Sequence, residues 1–562
     1  MADLEAWNAV EHALSQAGFE REWRETVRAT FTGVLDAERL AAPALVEIED
    51  LDFCSPPVIR LRDPSAFGRV ISHVLGPGGQ LCYLDGRARV LDRYDPAGTV
   101  LSCVETASKV LRDAVSGATD DYLLDDFAAY WNGNFFYADL PPGAKTGEIV
   151  EVALNPPPAA ASGILTRAGG LAPAFLARHR AQHGPDAEPD RLACPIIDVD
   201  GALRVDPTQP WPPLTLEAMC DWLAAVAPSV LPKLDRRFDE ASGTVRHFGL
   251  RAENGLFLLQ IAVPEHLRKE EFLKTRRRQL FRNLARAGGK APVTRISTVR
   301  IDAEYLSSRN LPSGAGLFGR RIAIVGCGSI GSFLADQLVR SGAGMGGGVL
   351  TVFDPDRLMP ANLGRHLLPL AALNLNKAEA VRDHLLATMP HLEVRARPMD
   401  ALGALHELCA QDLVIDATGE EAVSIALNHR AVTTAGFPPC LHVWLLGNGA
   451  AAEALLRVEP DDACYKCLKP ELARAPRHRV LRPEAGVEFR QNYACGDPLF
   501  VPYPISRGAG AAGLALDIAL DWAAGRPSPR HRTRVFEPHA TFQVKDGDPH
   551  RSSQCPACHP TP

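Results

Sequence analysis

The chain has 562 residues, thirteen of them cysteine, and a formal net charge of −7. That length calls for several domains, each with its own core, and the mildly acidic balance excludes a global pull toward nucleic acid or membrane. No signal peptide is expected and there is no uncharged apolar run of about 18 residues, so the expectation is a cytoplasmic protein whose cysteines serve metal binding and catalysis rather than a disulfide scaffold.

Residues 1–150 predict an α+β domain. An amphipathic helix is expected from Leu4 to Thr30, followed by short apolar stretches (VEIEDLDF, PPVIRLRD) that suit a β-meander. In ISHVLGPGGQLCYLDG, His73 precedes a glycine-rich loop and Cys82 follows it. TVLSCVETASKVLRDAV then predicts a helix. On residue pattern alone Cys82 is either a nucleophile or a core residue of an unrelated α+β module. Cys54 and Cys103 lack such a loop and are expected in the core, while Asp120, Asp121, Asp125 and Asp126 predict a solvated acidic face.

The segment NPPPAAASG marks a linker into a connecting domain, residues 156–310. It holds a helical stretch (WPPLTLEAMCDWLAAVAPSVLPKL), a strand-like run (LFLLQIAVP) and the basic segment RKEEFLKTRRRQLFRNLARAGGK. Glu270 and Glu271 interleave with the cations and no aromatic stacking platform is visible, so this segment predicts a solvated helix face; nucleic acid is not expected as a partner.

Residues 311–562 begin with RIAIVGCGSIG, an apolar strand ending in a glycine-rich turn that opens a helix. Gly326 permits the turn, Gly328 lets backbone approach phosphate, and Gly331 lets the helix pack on the strand. Asp354, about twenty residues on, ends a second strand at the spacing of an acid on ribose hydroxyls. The expected fold is α/β, a Rossmann-like nucleotide-binding domain. Arg365 and Lys377 favour a triphosphate over a dinucleotide, and Asp416, ending the strand of DLVIDATGE, suits Mg²⁺. Two distant pairs, Cys464/Cys467 and Cys555/Cys558, supply four thiolates for a tetrahedral Zn²⁺ clip. Between them lies Cys495, flanked by Gly496 and Pro498 and so placed on a loop, either an activated nucleophile or a buried inert thiol. Cys327, Cys409 and Cys440 are expected to be packing residues.

The run GCGSIG … DPDRLMPANLGRH … Lys377 … DATGE resembles the adenylation domain of ubiquitin-activating enzymes and their bacterial ThiF/MoeB-like relatives, from roughly Leu311 to the C-terminus. The resemblance implies that Asp354 holds the ribose, that Asn362, Arg365 and Lys377 contact phosphates, and that Asp416 binds Mg²⁺. It implies a homodimer through this domain, with a further ATP-contacting arginine, for which Arg309 is the candidate. The family usually has Gln where His366 stands. Paired CxxC motifs occur there in the same order, and the thioester-forming cysteine occupies a crossover loop, which matches Cys495.

The N-terminal order of helix, meander, His-loop-Cys and helix resembles bacterial ubiquitin-conjugating domains and implies that Cys82 is the conjugating nucleophile. The usual His-Pro-Asn triplet is replaced by His73-Val74-Leu75, which leaves the oxyanion stabiliser open. The whole chain is similar to fusion enzymes of bacterial anti-phage cyclic-oligonucleotide (CBASS-type) systems, with a connecting domain in the middle. That implies ATP-dependent activation of a protein's C-terminal glycine, a relay through Cys495 and Cys82, and ligation to a target amine. The implied acyl donor is a cGAS-like nucleotidyltransferase; a bacterial ubiquitin-like modifier or a sulfur carrier is the alternative.

Overall fold

The computed structural model describes residues 2–559 except 26, 38–39, 77, 85–90, 132–133, 142, 153–162, 242, 266–280, 282–283, 285–289, 313–315, 472–473 and 492–498. The chain divides into two compact units, Met1–Val299 and Arg300–Pro562.

The first unit starts with helix α1 (Ala2–Gln16), whose Trp7, Val10 and Leu14 recur at helical spacing and are buried. The helix expected to run to Thr30 ends here. Gly18 takes φ 84, a left-handed stop open to glycine, and the buried Phe19 turns the chain into strand β1 (Glu20–Arg24). β1 leads an antiparallel sheet with β2 (Ala29–Ala37), β3 (Leu40–Ile48), β4 (Val58–Leu61), β5 (Val74–Leu75) and β6 (Gln80–Leu81), in the order β1-β2-β3-β4-β6-β5. Ala42, Ala44, Val46 and Ile48 alternate inward along β3 and meet helix α2 (Pro96–Ser116) through Val100, Cys103, Ala107 and Leu111. The Asp95 carboxylate caps α2 by accepting from Gly98 N–H at 2.9 Å.

The second half of this unit, whose architecture the sequence did not suggest, is a closed barrel. Its strands are β7 (Asn134–Asp139), β8 (Thr146–Glu151), β9 (Gly163–Thr166), β10 (Arg191–Asp198), β11 (Val245–Ala252), β12 (Gly255–Ala262) and β13 (Val293–Arg300). Its interior is filled by Phe136, Ile149, Leu165, Cys194, Ile196, Leu258 and Ile296. β7 and β8 therefore hydrogen-bond into the barrel, not the N-terminal sheet, although both lie before the expected boundary near 150. Helices α3 (Leu216–Val226) and α4 (Val230–Arg237) cover the barrel and share a second core with the short helices of residues 122–130. At its centre Phe127 lies 5.5 Å from Trp131, 5.9 Å from Trp222 and 4.8 Å from Phe257 by ring centroids. The basic segment of residues 268–290 falls almost wholly outside the described residues. Asp121, Asp125 and Asp126 are exposed as expected; Asp120 instead pairs with Arg69 at 2.5 Å. Cys103 is buried, but Cys54 is exposed, because the turn after Phe53 (φ 52) directs it outward.

The second unit is a doubly wound α/β sheet ordered β16-β15-β14-β17-β18-β19-β20. The strands are β14 (Arg321–Val325), β15 (Val349–Phe353), β16 (Val394–Arg397), β17 (Leu413–Asp416), β18 (Cys440–Leu446), β19 (Ala451–Arg457) and β20 (His531–Val535). β16 to β18 are parallel, and β19 and β20 add antiparallel strands. Helices α5 (Gly331–Arg340), α6 (Lys377–Leu386) and α8 (Ile505–Ala523) pack one face; α7 (Glu421–Thr433) packs the other. Strand order reverses at β14, between β15 and β17, and ligands of open α/β sheets bind in the crevice beyond such a point.

Phe127→Ala is expected to destabilise the first unit by ~3–5 kcal/mol, the cost of truncating a buried aromatic. Urea denaturation followed by tryptophan fluorescence reports it directly, and an unchanged midpoint would show that the aromatic cluster does not hold the barrel.

Candidate functional site

Beyond the C-terminal ends of β14, β15 and β17 lies a cavity of about 720 Å³, inside the range of about 300–1,000 Å³ that small ligands occupy. Its floor is the glycine turn. Gly326 takes φ 89, and a Cβ there would press on Thr418. A Cβ on Gly331 would overlap the Gly326 carbonyl oxygen, whereas Gly328 faces open space within the cavity lining. Backbone can thus approach a phosphate at Gly328 with nothing in the way.

The peptide groups of Cys327 are held on both sides. Its N–H donates to Asp354 Oδ2 at 2.7 Å, and its carbonyl accepts from His366 Nε2 at 2.7 Å. His366 Nδ1 accepts from Leu368 N–H at 3.1 Å, which fixes the neutral tautomer with its proton on Nε2. Burial, the largest influence, lowers the pKa of His366 from 6.5. Histidine here braces the glycine turn. The Cys327 thiol is fully buried, and burial pushes its pKa up, as suits a packing residue; Cys440 is buried too, Cys409 only partly.

Asp354, Asn362, Arg365 and Lys377 all line the cavity. Asp354 is 5% exposed; burial raises its pKa, opposed by the charge of Lys377 and by N–H bonds from Cys327 and Asp356. Asn362 Oδ1 accepts from Met359 N–H at 2.9 Å and closes the first turn of the short helix Pro360–Leu363. Lys377 opens α6, whose cap Asn376 accepts from Glu379 N–H, and its Nζ donates to Asp356 Oδ2 at 2.9 Å. Arg365 pairs with no carboxylate among the described residues; its guanidinium lies 5.1 Å from the Tyr503 ring and 5.9 Å from Phe500. The Tyr503 hydroxyl also meets Ser329 Oγ at 2.6 Å, on the glycine turn itself. Arg309 is exposed beyond the short helix Ala303–Ser308 and does not line this cavity.

Asp416 is turned inward and is 1% exposed. Oδ1 accepts from Thr418 N–H at 3.1 Å and Thr418 Oγ1 at 2.7 Å; Oδ2 accepts from Ser424 Oγ at 2.5 Å and meets His442 Nδ1 at 2.8 Å. Burial alone would lower the pKa of His442, but Cys440 and Asp416 outweigh it and push it up to about 10. Asp416 thereby fixes the Thr418–Glu420 rim of the cavity. No sequence pattern pointed to His442, Ser424 or Tyr503, which lie 26, 8 and 174 residues from their partners.

Cys464, Cys467, Cys555 and Cys558 are buried together, their sulfurs within 4.8 Å of one another. Individual S–S separations are 3.7 Å for Cys464 to Cys467 and to Cys555, and 3.3 Å for Cys467 to Cys558. A tetrahedral ion with metal–sulfur bonds of ~2.3 Å sets sulfurs about 3.8 Å apart, so donor type, number and spacing fit Zn²⁺. Ser552 N–H and Asn428 Nδ2 point at Cys467 and Cys464 sulfurs at 3.4 and 3.6 Å, as orienting partners do. Cys495 lies outside the described residues.

In the first unit Cys82 follows β6. Leu81 and Tyr83 on either side are buried at 3% and 7%, so strand alternation turns Cys82 outward, where it is exposed. Its N–H donates to the His73 carbonyl at 2.8 Å.

Residues 314–556 match the ThiF family model and residues 7–135 the model of Prokaryotic E2 family B. A Pseudomonas aeruginosa protein named ATP-dependent ubiquitin transferase-like protein Cap2 is 33% identical over 92% of this chain and 91% of its own length. The Vibrio cholerae protein of the same name is 27% identical over 85% of each chain. The chain belongs to the Cap2 family. It is an ATP-using enzyme of the activating and conjugating type, with the cavity in its ThiF part and Cys82 in its E2-like part. Most of the barrel falls between the two family matches, inside the region aligned with the Pseudomonas Cap2 protein. No helix among the described residues is long and apolar enough to cross a membrane.

The depressed pKa of His366 gives a signed expectation. The folded state resists protonation that the unfolded chain accepts near 6.5, so its contribution is complete above that pH and is lost as pH falls below it. Lowering pH from about 7 to about 5 should therefore lower the melting temperature more in wild type than in His366→Gln. Parallel melting curves would remove this role.

Proposed function

We propose that this enzyme activates the C-terminal glycine of a partner protein with ATP and passes it through two thioesters to a target amine. What supports the reading above all is that one chain joins a nucleotide cavity presenting a guanidinium, Arg365, that pairs with no carboxylate among the described residues, to an exposed thiol, Cys82, held by the His73 turn. In this reading Asp354 accepts ribose hydroxyls through its remaining lone pairs, while Gly328 N–H, Asn362, Arg365 and Lys377 take the phosphates. Bound Mg²⁺ would supply further charge neutralisation at the phosphates. Asp416 is its candidate ligand, and would have to exchange a bond to Thr418, Ser424 or His442 for the ion.

The donor carboxylate attacks the α-phosphorus, forming an acyl–phosphate bond as pyrophosphate leaves. The Cys495 thiolate then attacks the acyl carbon and expels AMP. Cys82 takes the acyl group by thioester exchange, returning Cys495 to a thiolate. Finally an amine attacks, an amide forms, and the Cys82 thiolate leaves as the amine's proton passes to solvent. Splitting one difficult acyl transfer in this way lowers each barrier. The acyl donor we favour is a cGAS-like nucleotidyltransferase, with a role in cytoplasmic anti-phage defence and a homodimer formed through the adenylation domain. The name shared by the relatives supports the transferase chemistry in either case, whether the donor is that nucleotidyltransferase or a ubiquitin-like modifier.

Non-reducing gels and pyrophosphate exchange test the order. Cys495→Ala should retain ATP–pyrophosphate exchange and form neither thioester; Cys82→Ala should accumulate the Cys495 thioester and stop there. A Cys82 thioester persisting in Cys495→Ala would demote Cys495 to a structural residue. Asp416→Ala should lose Mg²⁺-dependent exchange, and exchange at the wild-type rate would remove it from the site.

The cysteine cluster is expected to carry one Zn²⁺ per chain. Chelation or Cys464→Ser should lower the melting temperature of the second unit, because metal-binding energy at such a clip is folding energy. Freshly purified protein without zinc would refute the assignment.

A further inference from the structure

The turn that carries Cys82 is gripped from the barrel. His73 adopts φ 63, a left-handed conformation that a non-glycine residue keeps only where its surroundings enforce it. Both of its backbone polar groups are engaged. The carbonyl accepts from Cys82 N–H at 2.8 Å, and the N–H donates to the Tyr130 hydroxyl at 2.6 Å. The His73 ring rests against Tyr122 at 4.4 Å.

Tyr130 is itself fixed at both ends. Its side chain is 6% exposed, within the aromatic core that covers the barrel. Its carbonyl accepts from Trp211 Nε1 and from Arg295 Nη1, each at 3.1 Å. Arg295 sits on β13, its guanidinium 5.9 Å from Trp131 and 5.5 Å from Trp211. Burial, the largest influence, pushes the Tyr130 pKa up to about 12, so the phenol stays protonated; the charge of Cys82 acts on it in the same direction. A hydroxyl that accepts from His73 keeps its own proton to donate.

We propose that Tyr130 is a positioning residue for the conjugating cysteine, carrying the rigidity of the barrel through the His73 backbone to the Cys82 turn. This gives the barrel, most of which lies outside both family matches, a part in conjugation; it rests on Cys82 being the acyl acceptor.

The test uses the full chain and no acyl donor. Tyr130→Phe keeps the ring and removes only the hydroxyl. Backbone hydrogen exchange over residues 73–82 should quicken about three- to tenfold, the loss of one hydrogen bond. The pH midpoint for alkylation of Cys82 by iodoacetamide should move, because the backbone bond that sets the Cys82 turn is loosened. A merely structural role would lower the melting temperature and leave that midpoint where it was. Trp211→Phe, which removes the N–H at the other end, should quicken the same exchange. Wild-type exchange and alkylation in Tyr130→Phe would overturn the proposal whatever Cys82 does. Conjugation surviving in Cys82→Ala would instead overturn the reading beneath it.

Discussion

The cavity beyond β14, β15 and β17 depends on how closely the glycine turn approaches its neighbours. No side chain fits at Gly331, because the carbonyl of Gly326 already occupies that space. Such a turn has little side-chain packing of its own, so its shape must come from outside. Asp354 and His366 supply it by taking the N–H and the carbonyl around Cys327. Thr418, set by Asp416, closes in from the next strand. A buried acid, a neutral histidine and a threonine therefore precede any ligand as conditions for the site. Each is a short polar bond in a poorly solvated place, where an unmade partner costs more than the bond gains.

How much of this was legible follows from sequence distance. The glycine turn and Asp354 belong to one strand-helix-strand passage, and Asn362, Arg365 and Lys377 follow its second strand closely, so that local spacing places these groups on the same rim. The two CxxC pairs were legible for a similar reason, since each pair is local even though 91 residues separate corresponding partners. The polar bonds behind the rim were not, because His442 and Tyr503 reach it from remote elements that periodicity does not connect. Leu4 to Thr30 misled because helical periodicity persists past Gly18, a stop that acts through backbone conformation rather than hydrophobic pattern.

The barrel was illegible for a deeper reason. Its parallel pairs, β10 with β11 and β7 with β9, are joined by long connections, and closure depends on β13 meeting β7 and β8 meeting β10, strands that do not follow one another in sequence. Its strongest apolar signal also belongs to two regions at once. Phe127 and Trp131 fall at the end of the E2-like match but are buried with Trp222 and Phe257.

That shared core bears on how such a fusion can be taken apart or assembled. The E2-like family match ends at residue 135, just inside β7. A fragment cut there would keep Phe127 and Trp131 but lose the barrel side chains they pack against, leaving an aromatic face in water. The boundary that marks common ancestry is thus not a boundary of independent folding. Recombination that traded the conjugating module alone between proteins would produce an insoluble piece, so the module and its barrel are expected to travel together as one inherited unit.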